Sequence, residues 1–448
     1  MDATEGAQTD IYKKSRFLYI IEATLEYFVS ILVGGAYLAR LTNAVGISDA
    51  TTGVLSAFVS LGCSAQMLAI FLARAKRVKP FVTAGHFISQ ALFALLYFTP
   101  FVPVSTSFRA VLLGVLLLLA HFIHNVIFSP KIAWYMGLVE DKKRGVFTAN
   151  KEIVSLLTGT VFTFALGKMI DHFEARGEVS IVFILSGVAL FGLCLLHTLT
   201  LLFSKEKPSF QDEKDTKGGF FADFAVLLKD KAVRSVTLVA VLWSVINYTS
   251  APFLGSYQNK ELGFSAVYIA VIAAVYSVAR SILSRPMGRL ADKRSFASML
   301  TLCFLLYASA CVIGIFTVPK NGKVFYMIYQ VLYAAALAGI NSGSINLIYD
   351  YVPEGQRTAA LALKNSVAGV AGFLTTALVS RAVVARVQAN GNTVFGIPVY
   401  AQQVTFLLAL LLTVFTLVYL QTVVKRLPRS RCGDTPRALP QSEGGRGE

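Results

Sequence analysis

The sequence predicts an all-α membrane protein of about twelve transmembrane helices, arranged as two pseudo-symmetric six-helix bundles. Three observations favour this fold class. First, 55% of the 448 residues are hydrophobic and the mean hydropathy is +0.63, which is more apolar surface than a soluble domain carries. Second, long apolar runs recur along nearly the whole chain. Third, one polar loop occurs twice, once in each half, between two such runs.

Each apolar run is long enough to cross a lipid bilayer. A spanning helix needs about 20 residues, and in lipid a helix lets a single segment satisfy its own backbone hydrogen bonds. We predict spans at residues 17–40, 51–73, 81–99, 108–137, 146–170, 180–203, 233–256, 264–287, 297–318, 323–350, 358–380 and 399–424. Their even number places both ends of the chain on the same side of the membrane.

The repeated loop reads VEDKKRGVFTANK from Val139 and VPEGQRTAALALK from Val352. The aligned pairs are Asp141 with Glu354, Arg144 with Arg357, Lys151 with Lys364, and Gly159 with Gly372. Internal repeats of this kind, in a chain that is mostly apolar, are typical of membrane transporters.

Basic residues are concentrated on one predicted side of the membrane. The formal net charge is +16, and clusters of Lys and Arg fall at 13–16, 76–79, 142–144, 289–294 and from 425 onward. Cytoplasmic loops carry the excess of Lys and Arg, so we expect both termini in the cytoplasm and the chain in a plasma or inner membrane. Short basic clusters between spans are not typical of nucleic-acid binding, and we expect no nucleic-acid partner.

The longest polar break divides the chain into two halves of similar size. The predicted domains are a cytoplasmic N-terminal tail (1–16), an N-terminal six-helix bundle (17–203), a cytoplasmic linker (204–232), a C-terminal six-helix bundle (233–424) and a disordered cytoplasmic tail (425–448). Apolar residues interleaved with polar ones predict an interfacial helix near the end of the linker. The first ten residues are polar and acidic and the first apolar run is long, so we expect no cleaved signal peptide.

The segment 288–294, GRLADKR, follows the eighth predicted span. With the twelve spans, their division into two sets of six and the repeated loop, it resembles the major facilitator superfamily of secondary transporters, whose signature loop reads G-x-L-a-D-r. The corresponding first-half segment, 74–79, keeps its basic residues but lacks the glycine and the aspartate. The resemblance covers about residues 15–425 and implies that Gly288 and Asp292 belong to a gate. The alternative is that the basic residues of this loop only fix the orientation of the chain in the membrane.

Ionisable residues inside a membrane are functional candidates, because each costs free energy unless it faces a cavity or a partner. Glu22 and Glu26 lie four residues apart on one face of the first span, and close carboxylates in apolar surroundings hold protons more readily than in water. His121 and His124 lie on the fourth span, which the resemblance places at the central cavity. We predict that these four residues carry a coupling proton. The alternatives are that Glu22 reaches the membrane surface and that the histidines only pack.

The two histidines also have a spacing that would suit a metal ion if a carboxylate joined them. No cysteine or second histidine cluster in the sequence supports such a site. Four of the five cysteines fall inside apolar runs and form no close pair. We therefore expect no metal site, no disulfide framework and no cofactor.

A polar and aromatic set on three spans predicts the substrate cavity. Lys131 and Tyr135 continue the histidine face of the fourth span. Neutral polar and aromatic groups on kinked helices build solute sites near the membrane midplane, although hydrogen bonds between helices use the same residues. The seventh and tenth spans contribute Trp243, Asn247, Tyr248, Gln330, Tyr333, Asn341 and Ser344.

Charged residues near the predicted cytoplasmic ends of the spans form a candidate inner gate. Lys151 and Lys364 occupy equivalent places in the two copies of the repeated loop. The alternative is that their ammonium groups extend to lipid phosphates. The gate set comprises Lys151, Glu152, Arg280, Gly288, Asp292, Asp350, Lys364 and Asn365.

The sequence thus predicts a secondary active transporter of a small organic solute that works by alternating access and is coupled to protons. We expect it to act as a monomer in the lipid bilayer. The alternative is a transporter-like sensor or scaffold without transport, which the incomplete signature loop of the first half favours. No nucleophile elbow, H-E-x-x-H or P-loop occurs, so we expect no enzyme and no ATP-driven pump. The substrate and the direction of transport are not predicted.

Overall fold

The computed structural model describes residues 11–66, 77–139, 144–207, 229–352, 357–394 and 396–427. These ranges are almost entirely helical, and the predicted fold class is confirmed. The first half contains α1 (Lys13–Leu32), α2 (Gly35–Ala44), α3 (Asp49–Ser56), α4 (Phe58–Gly62), α5 (Lys79–Leu96), α6 (Thr106–Met136), α7 (Arg144–Glu174) and α8 (Val179–Phe203). The second half contains α9 (Lys231–Ser250), α10 (Leu254–Ser256), α11 (Ala266–Lys293), α12 (Phe296–Ile315), α13 (Gly322–Tyr351), α14 (Arg357–Leu374), α15 (Arg381–Ala389) and α16 (Ala401–Thr422).

The predicted spans correspond to these helices. Among the described residues, nine helical segments are long and apolar enough to cross a membrane, and α1 with α2 forms a tenth that is bent by 44°. The bend falls where Gly35 has a φ of +51°, a backbone conformation that glycine adopts without steric cost. The segment α3–α4 and helix α5 occupy the places of the second and third predicted spans.

Polar residues fix the starts of several long helices. The Asp230 carboxylate accepts hydrogen bonds from the Ala232 and Val233 amides at the start of α9. Ser265 caps α11 in the same way, and Ser295 caps α12. These side chains satisfy amide groups that have no partner within the helix, so the short polar loops define where each span begins.

Each half encloses its own apolar core. Leu41, Leu113 and Leu117 are fully buried in the first half, and Phe304 and Phe406 in the second. The two cores belong to separate helix bundles, referred to below as the N bundle and the C bundle. The predicted linker and tails lie largely outside the described residues, so the predicted domain boundaries at those places stay predictions.

Two of the pairs of helices along which the bundles meet show how closely they pack. Helix α7 packs on α11, where a Cβ atom added to Gly167 would lie 3.0 Å from the Ala266 carbonyl oxygen. Helix α4 packs on α14, where the Ser60 hydroxyl donates to the Gly369 carbonyl at 2.9 Å. A Cβ atom at Gly369 would lie 2.5 Å from the Ser60 carbonyl oxygen. Glycine therefore allows the helices to approach closely at both contacts.

The repeated glycines have equivalent places in the two bundles. A Cβ atom added to Gly159 would lie 2.2 Å from the ring of Tyr27, where α7 packs on α1. A Cβ atom at Gly372 would lie 2.4 Å from Ser244 Oγ, where α14 packs on α9. The fifth span thus packs on the first as the eleventh packs on the seventh, which is the internal symmetry that the repeat predicts.

Large apolar side chains stay exposed on the outer surface of both bundles. Leu119, Val161, Ile282, Leu378 and Val418 are examples, each on a different long helix or its continuation. In water such a surface would favour aggregation, whereas lipid chains match it. The chain is therefore a multi-pass membrane protein.

The helix bundles have two ends, which are called the terminal face and the far face below. The terminal face holds the start of α1 and the end of α8, where the Lys205 amide donates to Ser15 Oγ at 2.9 Å. The far face holds the opposite helix ends. It includes a small antiparallel hairpin, in which β1 (Thr393–Val394) pairs with β2 (Ile397–Pro398).

Candidate functional site

One lysine joins two carboxylates inside the N bundle. Lys131 of α6 lies with its Nζ atom 2.7 Å from Glu22 Oε1 and 2.5 Å from Glu26 Oε2. The side chains of Lys131 and Glu22 are buried, whereas 22% of the Glu26 side chain is exposed. The four-residue spacing places both carboxylates on one face of α1, so a single ammonium group from α6 pairs with both.

A histidine from α8 binds the buried carboxylate. His197 Nε2 lies 2.8 Å from Glu22 Oε1, and His197 Nδ1 lies 2.6 Å from Gln90 Nε2. With the amide nitrogen of Gln90 as donor, His197 Nδ1 accepts, and its Nε2 carries the hydrogen that is donated to Glu22. Helices α1, α5, α6 and α8 therefore all contribute to one hydrogen-bonded group.

Two further histidines complete the group. His124 Nε2 lies 3.2 Å from Glu26 Oε1, and His86 Nε2 lies 3.9 Å from Glu22 Oε1. The His86 ring is buried, and neither of its nitrogens has a hydrogen-bond partner among the described residues. The name ion cluster is used below for Glu22, Glu26, His86, His124, Lys131 and His197.

The charges of the ion cluster do not balance. With the imidazoles neutral, two carboxylates and one ammonium leave a net charge of −1 in an apolar surround. Glu22 Oε2 and both nitrogens of His86 lack hydrogen-bond partners among the described atoms. A buried polar atom without a partner costs about 1–3 kcal/mol, so one additional proton would improve both the charge and the hydrogen bonding. The cluster is suited to take up and release a proton.

The same residues offer ligand atoms for a metal ion. Those of Glu22, His86 and His197 lie within 4.8 Å of one another, and all three side chains are buried. Lys131, however, places an ammonium group 2.7 Å from Glu22 Oε1, where its positive charge would repel a metal ion. His197 also directs a hydrogen, rather than a lone pair, at that oxygen. Both features make this group less suited to a metal ion than to a proton.

Glu22, Glu26 and His124 are among the residues predicted from the sequence, whereas their neighbours on α5 and α8 are not. His86, Gln90 and His197 are buried polar residues within apolar runs. The signal available for them was the cost of a polar group in lipid, which applies to every intramembrane histidine.

Three residues of the fourth predicted span do not have the surroundings that the sequence predicted. Lys131 does not line an open cavity, because the ion cluster encloses it. Tyr135 is also buried, and its hydroxyl donates to Ser204 Oγ at 2.9 Å. His121 packs against the Phe93 ring, with 5.0 Å between centroids, and makes no ion pair with the described carboxylates. This face of α6 turns toward α5 and α8 of its own bundle.

An aromatic and amide group lies where α9 and α13 meet in the C bundle. The Tyr333 hydroxyl donates to Asn247 Oδ1 at 2.8 Å. Trp243 stands edge-on to Tyr307, with 5.3 Å between ring centroids. Trp243, Asn247 and Tyr333 are each half-buried, as expected for residues that line an open space.

The other predicted cavity residues are more scattered. Gln330 is buried and donates to the Tyr326 hydroxyl at 3.1 Å. Tyr248 lies against Gly372, where the bundles meet. Asn341 is exposed on the same helix as Tyr333. The structure thus groups Trp243, Asn247 and Tyr333 and places the others around them.

The predicted gate lysines have partners within their own bundles. Lys151 Nζ lies over the Tyr19 ring, 5.3 Å from its centroid. Lys364 Nζ donates to the Ser344 carbonyl at 3.1 Å and to its hydroxyl at 3.3 Å. In this arrangement neither lysine joins the two bundles through the contacts described, and their gate role stays a prediction.

The remaining gate residues fall into three groups. Arg280 is half-buried near the middle of α11. The side chains of Asp292 and Asp350 lie outside the described residues. The exposed members are Glu152, Gly288 and Asn365.

Polar contacts that the sequence did not predict close the far face. The Asp171 carboxylate of α7 accepts hydrogen bonds from the Ala266 amide at 2.7 Å and the Val267 amide at 3.0 Å. These amides begin α11, whose N-terminus attracts a negative charge. A carboxylate of one bundle therefore caps a helix of the other.

Further contacts surround this cap. Lys260 Nζ lies 2.8 Å from Asp49 Oδ1, and Gln388 Nε2 donates to Asp49 Oδ2 at 2.9 Å. Asn259 Nδ2 donates to the Ala36 carbonyl at 2.9 Å. The name far-face latch is used below for Ala36, Asp49, Asp171, Asn259, Lys260 and Gln388. The residues that pair with one another lie far apart in the sequence, and no local pattern pairs them.

Comparisons with known proteins agree with this architecture. The family model described as Major Facilitator Superfamily matches residues 237–440. A variant form of the nucleoside transporter NupG is 13% identical, with a TM-score of 0.70, covering 91% of this chain and 99% of that one. A D-xylose-proton symporter is 13% identical, with a TM-score of 0.65, covering 89% and 97%.

A third solved structure has the same fold. The xylose transporter XylE from E. coli in an inward open conformation is 12% identical, with a TM-score of 0.65, covering 93% of this chain and 98% of that one. No protein of curated function matches the chain by sequence.

The family match covers most of the C bundle, and the shared fold extends over both bundles. The comparisons thus show a fold that the chain shares with solved membrane transporters, and a match to the model described as Major Facilitator Superfamily over the C-terminal part of the chain.

Proposed function

We propose that this protein is a secondary active transporter that moves a small organic solute by alternating access and is coupled to protons. The observation that carries the coupling is the ion cluster. Its net charge of −1 and its unpartnered atoms lie inside a bundle that crosses the membrane. Among the structures that share this fold, one is a D-xylose-proton symporter.

The route of the proton follows from burial. Glu26 is the carboxylate of the cluster that keeps part of its surface exposed, and His124 lies beside it. Glu22 is buried and reaches the surface only through its neighbours. We therefore assign uptake of the proton to Glu26 with His124, and its storage to Glu22 with His86 and His197.

The far-face latch represents one end of the alternating-access cycle. It joins the two bundles on the face opposite the termini, so it has to open when a solute enters or leaves there. The positive-inside rule places the terminal face, with both termini, in the cytoplasm. The far-face latch is then the outer gate, and the lysines Lys151 and Lys364 belong to an inner gate that closes in the opposite state.

The solute site lies between the bundles, beside Trp243, Asn247 and Tyr333 of the C bundle. These residues combine aromatic surface with amide and hydroxyl groups, which is the usual composition of a site for a small organic molecule. The ion cluster lies in the other bundle. Rocking of one bundle against the other exposes both sites to the same side at the same time.

Transport by purified protein in liposomes tests this proposal. Solutes from a mixed panel are offered outside, with the lumen alkaline or acidic, and their accumulation is measured with and without a protonophore. We expect at least one solute to accumulate when a proton gradient is imposed and to leak out when the gradient is collapsed. If no solute moves and the protein nevertheless binds one, a sensor or scaffold role replaces the proposal.

A further inference from the structure

Arg280 is a basic residue near the middle of a membrane-spanning helix. On α11 it is flanked two residues away by Val278 and Ile282, whose side chains are 57% and 65% exposed and face lipid. A step of two residues turns a helix by roughly 200°, so Arg280 points away from the lipid and toward the interior of the protein. Its side chain is half-buried there.

The surroundings of Arg280 belong to the solute site. Tyr276 lies one turn away on the same face of α11, and its ring is 6.0 Å from that of Tyr333. Arg280 lies beside both tyrosines. Tyr27 of the N bundle also lies near Tyr276. Arg280 therefore faces the space between the two bundles, next to the aromatic group described above.

No described carboxylate pairs with Arg280. The interior carboxylates Glu22 and Glu26 are both held by Lys131. Glu152 of α7 lies at a similar depth in the membrane, because Glu152 and Arg280 are nearly the same number of residues away from the contact between Gly167 and Ala266. No ion pair joins Glu152 to Arg280 in this structure. A guanidinium group stays charged at any physiological pH, and inside a membrane it needs an anionic or strongly accepting partner.

From this placement we propose that Arg280 binds the anionic group of the transported solute, and that the substrate is a small organic anion bearing a carboxylate or a phosphate. The proposal rests on the proposed transport function and names its substrate class. A guanidinium group binds either oxyanion through two parallel N–H donors. The rings of Tyr276, Tyr333 and Trp243 would pack against the organic part of the solute.

Charge balance connects this substrate class with the ion cluster. An anion bound to Arg280 is neutralised in the C bundle, while the proton neutralises the net charge of −1 in the N bundle. Moving both together avoids the cost in free energy of carrying an unpaired charge through the membrane interior. A neutral solute would leave the Arg280 charge unpaired in the loaded protein.

The test compares acids with uncharged counterparts of similar shape. Purified protein is heated with nicotinate or nicotinamide, glucuronate or glucose, and uridine monophosphate or uridine, each at about 5 mM, above the usual range of substrate affinities. The unfolding temperature rises when a compound binds the folded state. We expect at least one acid to raise it and its neutral counterpart not to. The carboxylate and phosphate pairs show which oxyanion is preferred.

Variants assign the effect to the guanidinium group. The Arg280→Gln protein should bind the acid at least about 30-fold more weakly, whereas Arg280→Lys should lose less. Arg285→Gln removes the same charge from an exposed position of the same helix and should bind like the unmodified protein. Glu152→Gln should keep the preference for the acid; losing it would mean that Arg280 acts through Glu152 instead.

Fluorescence provides a second reading of the same site. The protein has two tryptophans, and in a Trp134→Phe background Trp243 is the one that remains. The acid should change its emission, and Arg280→Gln should remove that change. Equal binding of acid and neutral partner, an unaltered affinity in Arg280→Gln, or no response to any acid would each overturn the assignment. Failure of the pH gradient to drive uptake of an acid that binds normally would overturn the proton coupling and leave this assignment intact.

Discussion

Glu26 and Lys131 form an ion pair with 2.5 Å between Oε2 and Nζ, in which the lysine is buried and 22% of the glutamate is exposed. The buried partner fixes the position of the carboxylate, and the exposed partner keeps a path to water. A proton that enters from the solute site would therefore meet Glu26 before it reaches Glu22 or His197.

Replacing Glu26 with Gln keeps the shape of the side chain and removes its ability to exchange a proton. We expect Glu26→Gln to abolish accumulation driven by a pH gradient, while exchange of solute between equal pools continues. Both are measured as labelled solute in proteoliposomes. Glu178→Gln makes the same change at an exposed position near the far face and should accumulate solute normally. Accumulation by Glu26→Gln at the normal level would show that the proton is carried elsewhere.

Replacing Lys131 with Met removes the ammonium and keeps an unbranched side chain of similar length. Two buried carboxylates are then left without their partner, and breaking a buried ion pair costs about 3–5 kcal/mol. We expect Lys131→Met to lower the free energy of unfolding by this amount, measured by chemical denaturation in detergent. Adding Glu22→Gln should recover part of the loss. A single variant as stable as the unmodified protein would mean that the ion cluster is not formed as described.

The fold could be predicted because it depends on patterns that are visible along the chain. A long apolar run predicts a membrane-spanning helix, because backbone groups without hydrogen bonds cost free energy in lipid. The repeat that aligns Gly159 with Gly372 predicts the symmetry of the bundles, and both glycines pack at equivalent helix pairs.

The site could be predicted only in part, because contacts between helices depend on how each helix is rotated. The spacing of Glu22 and Glu26 gave their common face, but nothing local placed His197 beside them. Lys131 lies on the same stripe as His124 and was assigned to the cavity, whereas packing turns it inward. Asp171 gave no signal at all, because its partners are backbone amides of another bundle.

The orientation of the protein follows from its basic loops and can be measured directly. We expect a cysteine at Lys207, on the terminal face, to be labelled from the cytoplasm, and one at Lys320, on the far face, from outside. Both positions are exposed lysines, so the two changes are matched in charge and size. An impermeant maleimide applied to intact cells should label the second and not the first. Labelling of both from one side would refute the predicted topology.

Close packing between the bundles can be tested at Gly369. A Cβ atom there would lie 2.5 Å from the Ser60 carbonyl oxygen, which does not yield as a flexible side chain would. We expect Gly369→Ala to lower the unfolding temperature, at a cost of about 1–3 kcal/mol. Gly192→Ala is the control, because its added Cβ meets nothing within 4 Å. Equal unfolding temperatures for the two variants would contradict the close contact of α4 with α14.

The outer gate can be tested at Asp171, whose carboxylate caps α11 across the bundle interface. The negative charge at the helix N-terminus stabilises the closed far face by about 1–2 kcal/mol, and Asp171→Asn removes this charge. We therefore expect the population with an open far face to grow roughly five- to thirtyfold. The measurement is the rate at which a cysteine at Ala36 reacts with an impermeant maleimide, because Ala36 has a buried side chain and takes part in the far-face latch only through its backbone carbonyl. The native cysteines are replaced in the protein that carries this cysteine.

Asp230→Asn is the control, because it weakens the same kind of cap within one bundle, at the start of α9, and should leave the rate unchanged. If the two variants react equally fast, the cap across the interface does not hold the far face closed, and the outer gate depends on the other contacts of the far-face latch.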